Sequence, residues 1–168
     1  MIRKATPADL PAVLQVYDSA RTFMATNGNP TQWGSTYPPP ELLEEDIRLG
    51  RLFVDTNEGK ICGVFIFAAG DDPTYAYIED GAWLDSSPYG VIHRVASDGT
   101  VPGTLKRCLT FCRKQCSHLR IDTHADNYVM QRLLSAQGFT RCGTIYVEDG
   151  SPRIAYEWLE NKKEMAHG

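Results

Sequence analysis

The stretch from His93 to Phe139 constrains the fold more than any other part of the chain, because strand, glycine loop, helix, strand, helix and a closing Gly-Phe follow one another. Val91 to Val95 is apolar and rich in β-formers, as a buried strand should be. Ser97-Asp98-Gly99-Thr100 interrupts it. Gly103-Thr104 then opens a predicted helix whose apolar positions Leu105, Cys108, Leu109 and Cys112 keep the i, i+3, i+4, i+7 spacing. Leu119 to Thr123 reads as the next strand, and Asn127 starts a second helix that ends at Gly138-Phe139. A helix that begins directly after a glycine loop presents unbonded backbone N–H groups at the positive end of its dipole. Such an entrance suits a pyrophosphate far better than a neutral ligand.

The remaining punctuation gives a coarse map. Thr6, Pro7 and Asp9 mark a helix start, with the Thr6 hydroxyl as predicted cap and Leu10, Val13, Leu14 and Tyr17 as the buried stripe. Asn27 to Pro40 is a Gly- and Pro-containing break carrying Trp33 and Tyr37, which either pin the loop to the core or line a pocket. Glu41 to Leu49 reads as a short acidic helix ended by Gly50. Leu52 to Val54 and Ile61 to Phe67 are expected to pair through Asn57-Glu58-Gly59, and Tyr75 to Ile78 to form a further strand. Thr140 to Val147 and Ile154 to Trp158 flank an Asp-Gly turn signal. One helix-crossed strand pair inside a mainly antiparallel set predicts a mixed α/β sheet flanked by helices. Residues 1–160 are expected to form one domain, and 161–168 a polar, frayed tail.

Composition narrows the function. The chain has 168 residues, 42% of them hydrophobic and 23% charged, as expected for one globular domain. A net charge of −4 without a clustered basic face speaks against a nucleic-acid partner. The first strand begins within two residues, which leaves no room for a signal peptide, and no apolar run reaches membrane-spanning length. Five cysteines, an odd number, read as reduced thiols rather than a disulfide framework, so the cytoplasm is the expected compartment.

The 91–139 segment resembles the GCN5-related N-acetyltransferases, and the likeness extends to Ile2 through Leu10 as their opening strand and helix start. Leu133 to Phe139 resembles the end of the family's second cofactor-side helix. The resemblance implies a V-shaped notch between two splayed central strands, acetyl-coenzyme A as cosubstrate and acetyl transfer to a primary amine of a small molecule or peptide. From the charge, the apolar runs and the cysteine spacing, no metal, no membrane and no nucleic acid are expected. The alternative is a non-catalytic acyl-coenzyme A-binding module on the same fold. Oligomeric state is open, a homodimer being one option. Where the family prefers Gln or Arg, two residues, Gly, one residue, then Gly or Ala, this chain has Thr100-Val101-Pro102-Gly103-Thr104-Leu105. Only the central glycine is kept in this degenerate loop. Leu105 brings bulk where backbone should approach the pyrophosphate, and Pro102 removes a donor.

By the same resemblance, Val95, Ala96, Ser97, Gly99, Gly103, Thr104, Leu105 and Asn127 are the expected cofactor-binding residues. For the proton acceptor the candidates are His93, expected on the strand face of Val91 and Val95 and opposite Arg94, and Glu79, with Asp80 beside it. Taken singly, each has a simpler structural reading, as a satisfied histidine or a solvated strand end. The family often places an acidic tyrosine where this chain has Leu134, so Tyr128 and Tyr146 are the substitutes. Acidic residues Asp71, Asp72, Glu79 and Asp80 suit a cationic acceptor, and a solvated acidic loop equally. Cys108, Cys112 and Cys116 form a helical stripe, but eight residues of helix span about 12 Å, too far for three thiolates on one zinc. The run Asp122-Thr123-His124-Ala125-Asp126 also suits a hydrolytic site, and is read here as a strand end.

Overall fold

The computed structural model describes residues 1–160; the expected tail over 161–168 lies outside the described residues. Seven strands form one sheet in the order β1-β2-β3-β4-β5-β7-β6. They are β1 (Ile2–Lys4), β2 (Leu52–Asn57), β3 (Lys60–Ala69), β4 (Gly90–Ser97), β5 (His118–Thr123), β6 (Thr140–Tyr146) and β7 (Pro152–Leu159). The helices are α1 (Leu10–Thr26), α2 (Pro40–Arg48), α3 (Thr104–Gln115) and α4 (Tyr128–Ala136). Neighbouring strands run antiparallel except β4 and β5, which are parallel and connected through α3. A parallel pair needs such a crossover, and here it is the segment that the glycine loop introduces.

The sheet is covered on both faces. Against one, α3 places Leu105, Cys108, Leu109 and Cys112 and α4 places Leu134, packed with Phe53, Phe65, Ile92 and Ile121. On the other, Val13, Val16, Tyr17 and Ala20 of α1 and Leu43 and Ile47 of α2 meet Val54, Val64, Ile66 and Ala96. A smaller cluster of Tyr75, Val91, Ile145 and Ala155 continues the core beside it. Among the described residues no helix is long and apolar enough to cross a membrane.

Two local expectations are corrected. Tyr75 to Ile78 is not a strand; Pro73–Tyr75 is a turn of 3-10 helix started by Asp72, whose carboxylate accepts from the Thr74 amide at 2.9 Å. The Tyr75 side chain is drawn inward and buried. The Thr6 hydroxyl does not cap either: it donates to Asp9 at 3.2 Å, while the Asp9 carboxylate accepts from the Thr6 amide at 2.7 Å.

Candidate active site

The site begins with a flaw in β4. Between Ile66 and Val64 the partner residues advance from His93 to Ala96, so β4 carries one extra residue. Arg94 absorbs it with φ of 50°, in the left-handed region that a non-glycine residue rarely adopts. Three contacts hold this bulge. The Tyr17 hydroxyl donates to the Arg94 carbonyl at 2.8 Å, the Arg94 guanidinium pairs with the fully buried Asp46, and it donates to the Tyr37 hydroxyl at 3.3 Å. The bulge also corrects the expected alternation. His93 shares its face with Val91, but Val95 turns to the opposite side, where it packs with the Ile92 cluster.

Past the bulge the central strands part. β4 and β5 pair only from Gly90–Ile92 to Leu119–Ile121, then continue separately to Ser97 and Thr123. The gap widens into a cavity of about 520 Å³, open on one side. Its walls are largely apolar: Phe23 and Met24 of α1, Trp33 of the 27–40 loop, and Val129 and Leu133 of α4. Trp33 serves both roles open to it, standing edge-on to Tyr17 with ring centres 5.6 Å apart while facing the cavity.

The entrance of α3 forms one end. Gly103 precedes the helix with φ of 88°, and a Cβ there would meet the Arg107 guanidinium at 3.1 Å. The first helical hydrogen bond runs from the Arg107 amide to the Gly103 carbonyl, so the amides of Thr104, Leu105 and Lys106 precede the ladder. Asp98 folds inward, accepting from the Thr100 amide and hydroxyl at 2.9 and 2.6 Å. Close approach of this turn to the sheet depends on Gly63 of β3, whose added Cβ would sit 2.7 Å from the Thr104 methyl. The Leu105 side chain is buried in the core with the rest of the α3 stripe.

All eight residues expected around a cofactor, Val95, Ala96, Ser97, Gly99, Gly103, Thr104, Leu105 and Asn127, line this one cavity. Asn127 caps α4 by accepting from the Met130 amide at 3.1 Å, and its own amide donates to Gln32 at 3.2 Å, tying α4 to the 27–40 loop. The four expected catalytic side chains do not line it. Tyr128 opens α4 with 62% of its surface exposed. Glu79 and Tyr146 are hydrogen-bonded to each other at the β6 edge of the sheet, where Glu79 bridges to Thr144. Bonds from Tyr146 and Tyr77 lower the Glu79 carboxyl.

His93 lies nearer, in a cluster that the sequence did not disclose. Its Nε2 bonds to Asp72 at 2.8 Å, and its ring packs beside Tyr75 at 6.1 Å between centres. The Tyr75 hydroxyl donates to Asp122 Oδ2 at 2.7 Å, and Asp122 lines the cavity. Burial pushes the Asp72 carboxyl up, but bonds from His93 and Thr74 outweigh it and hold it at about 2. Asp122 moves the other way: burial raises it, and His93 and Tyr75 oppose this only in part. In sequence, His93, the acidic Asp71–Asp72 pair and the Asp122–Asp126 run stood as separate candidates. Among the described residues no group of three or more metal-ligating side chains occurs, and Cys108 and Cys112 are core, with burial raising the Cys108 thiol.

A mixed seven-stranded sheet with splayed central strands and a helix N-terminus aimed into the gap is the fold of the GCN5-related N-acetyltransferases, and the chain shares it. A GNAT-family acetyltransferase from Streptococcus agalactiae is 26% identical with a TM-score of 0.87, the match covering 96% of this chain and 95% of that one. An acetyltransferase described as putative from Staphylococcus aureus is 24% identical over 95% of this chain and 98% of its own, with a TM-score of 0.69. One from Salmonella typhimurium, solved with its cofactor acetyl-CoA, is 17% identical over 96% of this chain and 94% of its own, with a TM-score of 0.59. The last two likenesses are of fold. No protein-family model and no curated protein matches the chain.

Proposed function

We propose that the protein is an acetyl-coenzyme A-dependent N-acetyltransferase acting on a primary amine of a small molecule or peptide. The observation that carries this reading is the cavity between β4 and β5 into which the N-terminus of α3 opens. The residues fit the cosubstrate. Backbone amides at Thr104 to Lys106, with the Lys106 ammonium, suit the pyrophosphate, and the apolar walls suit the pantetheine arm. Bound there, acetyl-coenzyme A supplies an activated acyl group.

The chain's own work is then to orient and to move protons. The β4 amides at Val95 and Ala96, turned by the Arg94 bulge, are the proposed donors to the carbonyl oxygen as it gains charge. On the acceptor face, the hydrogen-bonded cluster of Asp72, His93, Tyr75 and Asp122 is placed to take a proton from an incoming ammonium. Glu79, Tyr128 and Tyr146 stand outside the cavity walls, and a thiol with a pKa near 8.5 leaves without a dedicated acid. The acidic loop residues favour a cationic acceptor. All five thiols are free, which suits a reducing cytoplasm.

Thiol release from acetyl-coenzyme A, followed across a panel of primary amines, tests this reading. Turnover of any amine, lost in a Gly103→Trp variant, supports it. Binding of acetyl-coenzyme A with no turnover across the panel makes the protein a non-catalytic acyl-coenzyme A-binding module.

A further inference from the structure

Asp122 occupies a position that nothing in the core requires. It is the penultimate residue of β5, just beyond the last pair with β4, and it faces the same side as its cross-strand partner Ala155. It borders the cavity and is partly exposed, whereas its neighbours Ile121 and Thr123 are buried towards the opposite face. One of its oxygens, Oδ2, is held by the hydroxyl of Tyr75, a ring only 1% exposed. The other, Oδ1, accepts no hydrogen bond from the described residues. A carboxylate with one oxygen fixed from behind and the other free towards a cavity is oriented for a ligand that donates.

We propose that Asp122 is the catalytic base: it receives the acceptor's ammonium group on Oδ1 and takes its first proton. This rests on the acetyltransfer reading above and names the group that contacts the amine. The charged and titratable groups that face Asp122 are His93, Tyr75, Arg153 and Asp72. Arg153 donates to the Gln32 and Pro152 carbonyls and His93 is held by Asp72, so Oδ1 of Asp122 is left to meet a cation. In the step itself one N–H proton passes to Asp122 and the freed lone pair attacks the acyl carbon. The C–N bond forms, the C–S bond breaks, the nitrogen's second proton leaves with sulfur, and Asp122 returns its proton to water. Burial favours this role by raising the carboxyl towards neutrality, and His93 limits the rise.

The test uses the full chain and the amine turned over fastest among putrescine, tyramine, ethanolamine and lysine methyl ester. Asp122→Asn is expected to lower kcat/KM by about 100-fold or more while calorimetry shows coenzyme A binding unchanged. In the wild type kcat/KM should rise with pH as Asp122 ionises. His93→Gln should cost less than about tenfold and move that rise to higher pH, because a positive charge that favours the carboxylate is gone. If Asp122→Asn fails to bind coenzyme A, Tyr75→Phe carries the test, since it deletes one hydroxyl and should also move the rise upward. Retention of rate in Asp122→Asn, or an unmoved pH profile in Tyr75→Phe, overturns the inference. So does a loss concentrated in His93→Gln, which would put the base there. No turnover of any amine by the wild type overturns the acetyltransfer reading itself.

Discussion

The hydroxyl of Tyr17 in α1 donates a 2.8 Å hydrogen bond to the carbonyl of Arg94, the one residue of β4 with a left-handed backbone. The bond removes that carbonyl from the sheet ladder and lets the strand take an extra residue. Through it a helix on one face sets the direction of the backbone that borders the cavity. Tyr17→Phe keeps the ring and leaves the carbonyl unpaired, at an expected cost of about 1–3 kcal/mol in urea denaturation. Acetyl transfer should fall by more than coenzyme A affinity, and equal losses would show that the bond serves stability alone.

Gly103 tests the other end of the cavity. Any side chain there meets both a φ of 88° and the Arg107 guanidinium at 3.1 Å. Gly103→Val should cost on the order of 1–3 kcal/mol through strain and weaken coenzyme A binding at least in proportion, as read by calorimetry. Unchanged affinity would mean the loop does not hold the phosphates.

A buried ionic group fixes the loop that precedes β4. Glu157 of β7, fully buried, accepts from His118 at 2.5 Å, from Arg120 at 2.9 Å and from the Leu84 amide at 2.6 Å. The Arg120 guanidinium is sandwiched between Trp83 and Tyr89, 4.1 Å from each ring centre. Glu157→Leu strands a buried arginine, so a loss of about 3–5 kcal/mol is expected, with fast amide exchange at Leu84. A thermal midpoint within a degree or two of the wild type would contradict this account.

What was legible in the sequence was local. The Gly103 entrance, the Leu105–Cys112 stripe and the Asn127 cap each declare themselves within one or two helical turns, and the β4-loop-α3 unit followed from them. The unseen features depend on residues far apart in the chain. Nothing around Arg94 announces a bulge that Tyr17 stabilises from 77 positions away. The aromatic run at Tyr75 imitates a strand, and only its bond to Asp122, 47 residues on, shows why it turns inward. His118 and Glu157 are 39 residues apart, and only the antiparallel pairing of β5 with β7 brings them and Arg120 together.

Acid should weaken the N-terminal corner. Bonds from Arg3 at 2.7 and 3.0 Å hold the Asp9 carboxyl at about 2, against an ordinary 3.8. A folded-state pKa below the unfolded one means that stability is present above about pH 4 and is lost as pH falls towards 2. Denaturation followed from pH 7 to 2.5 should show this decline, and Arg3→Ala should flatten it. An equal decline in the variant would assign the acid sensitivity elsewhere.

The most direct measurement is a calorimetric titration with acetyl-coenzyme A, because the site account rests on the α3 entrance and the β4–β5 gap holding it. Micromolar binding that weakens in Gly103→Val is the predicted result. No heat of binding at millimolar acetyl-coenzyme A would contradict the account, and the acetyltransfer assignment and the role of Asp122 would fall with it.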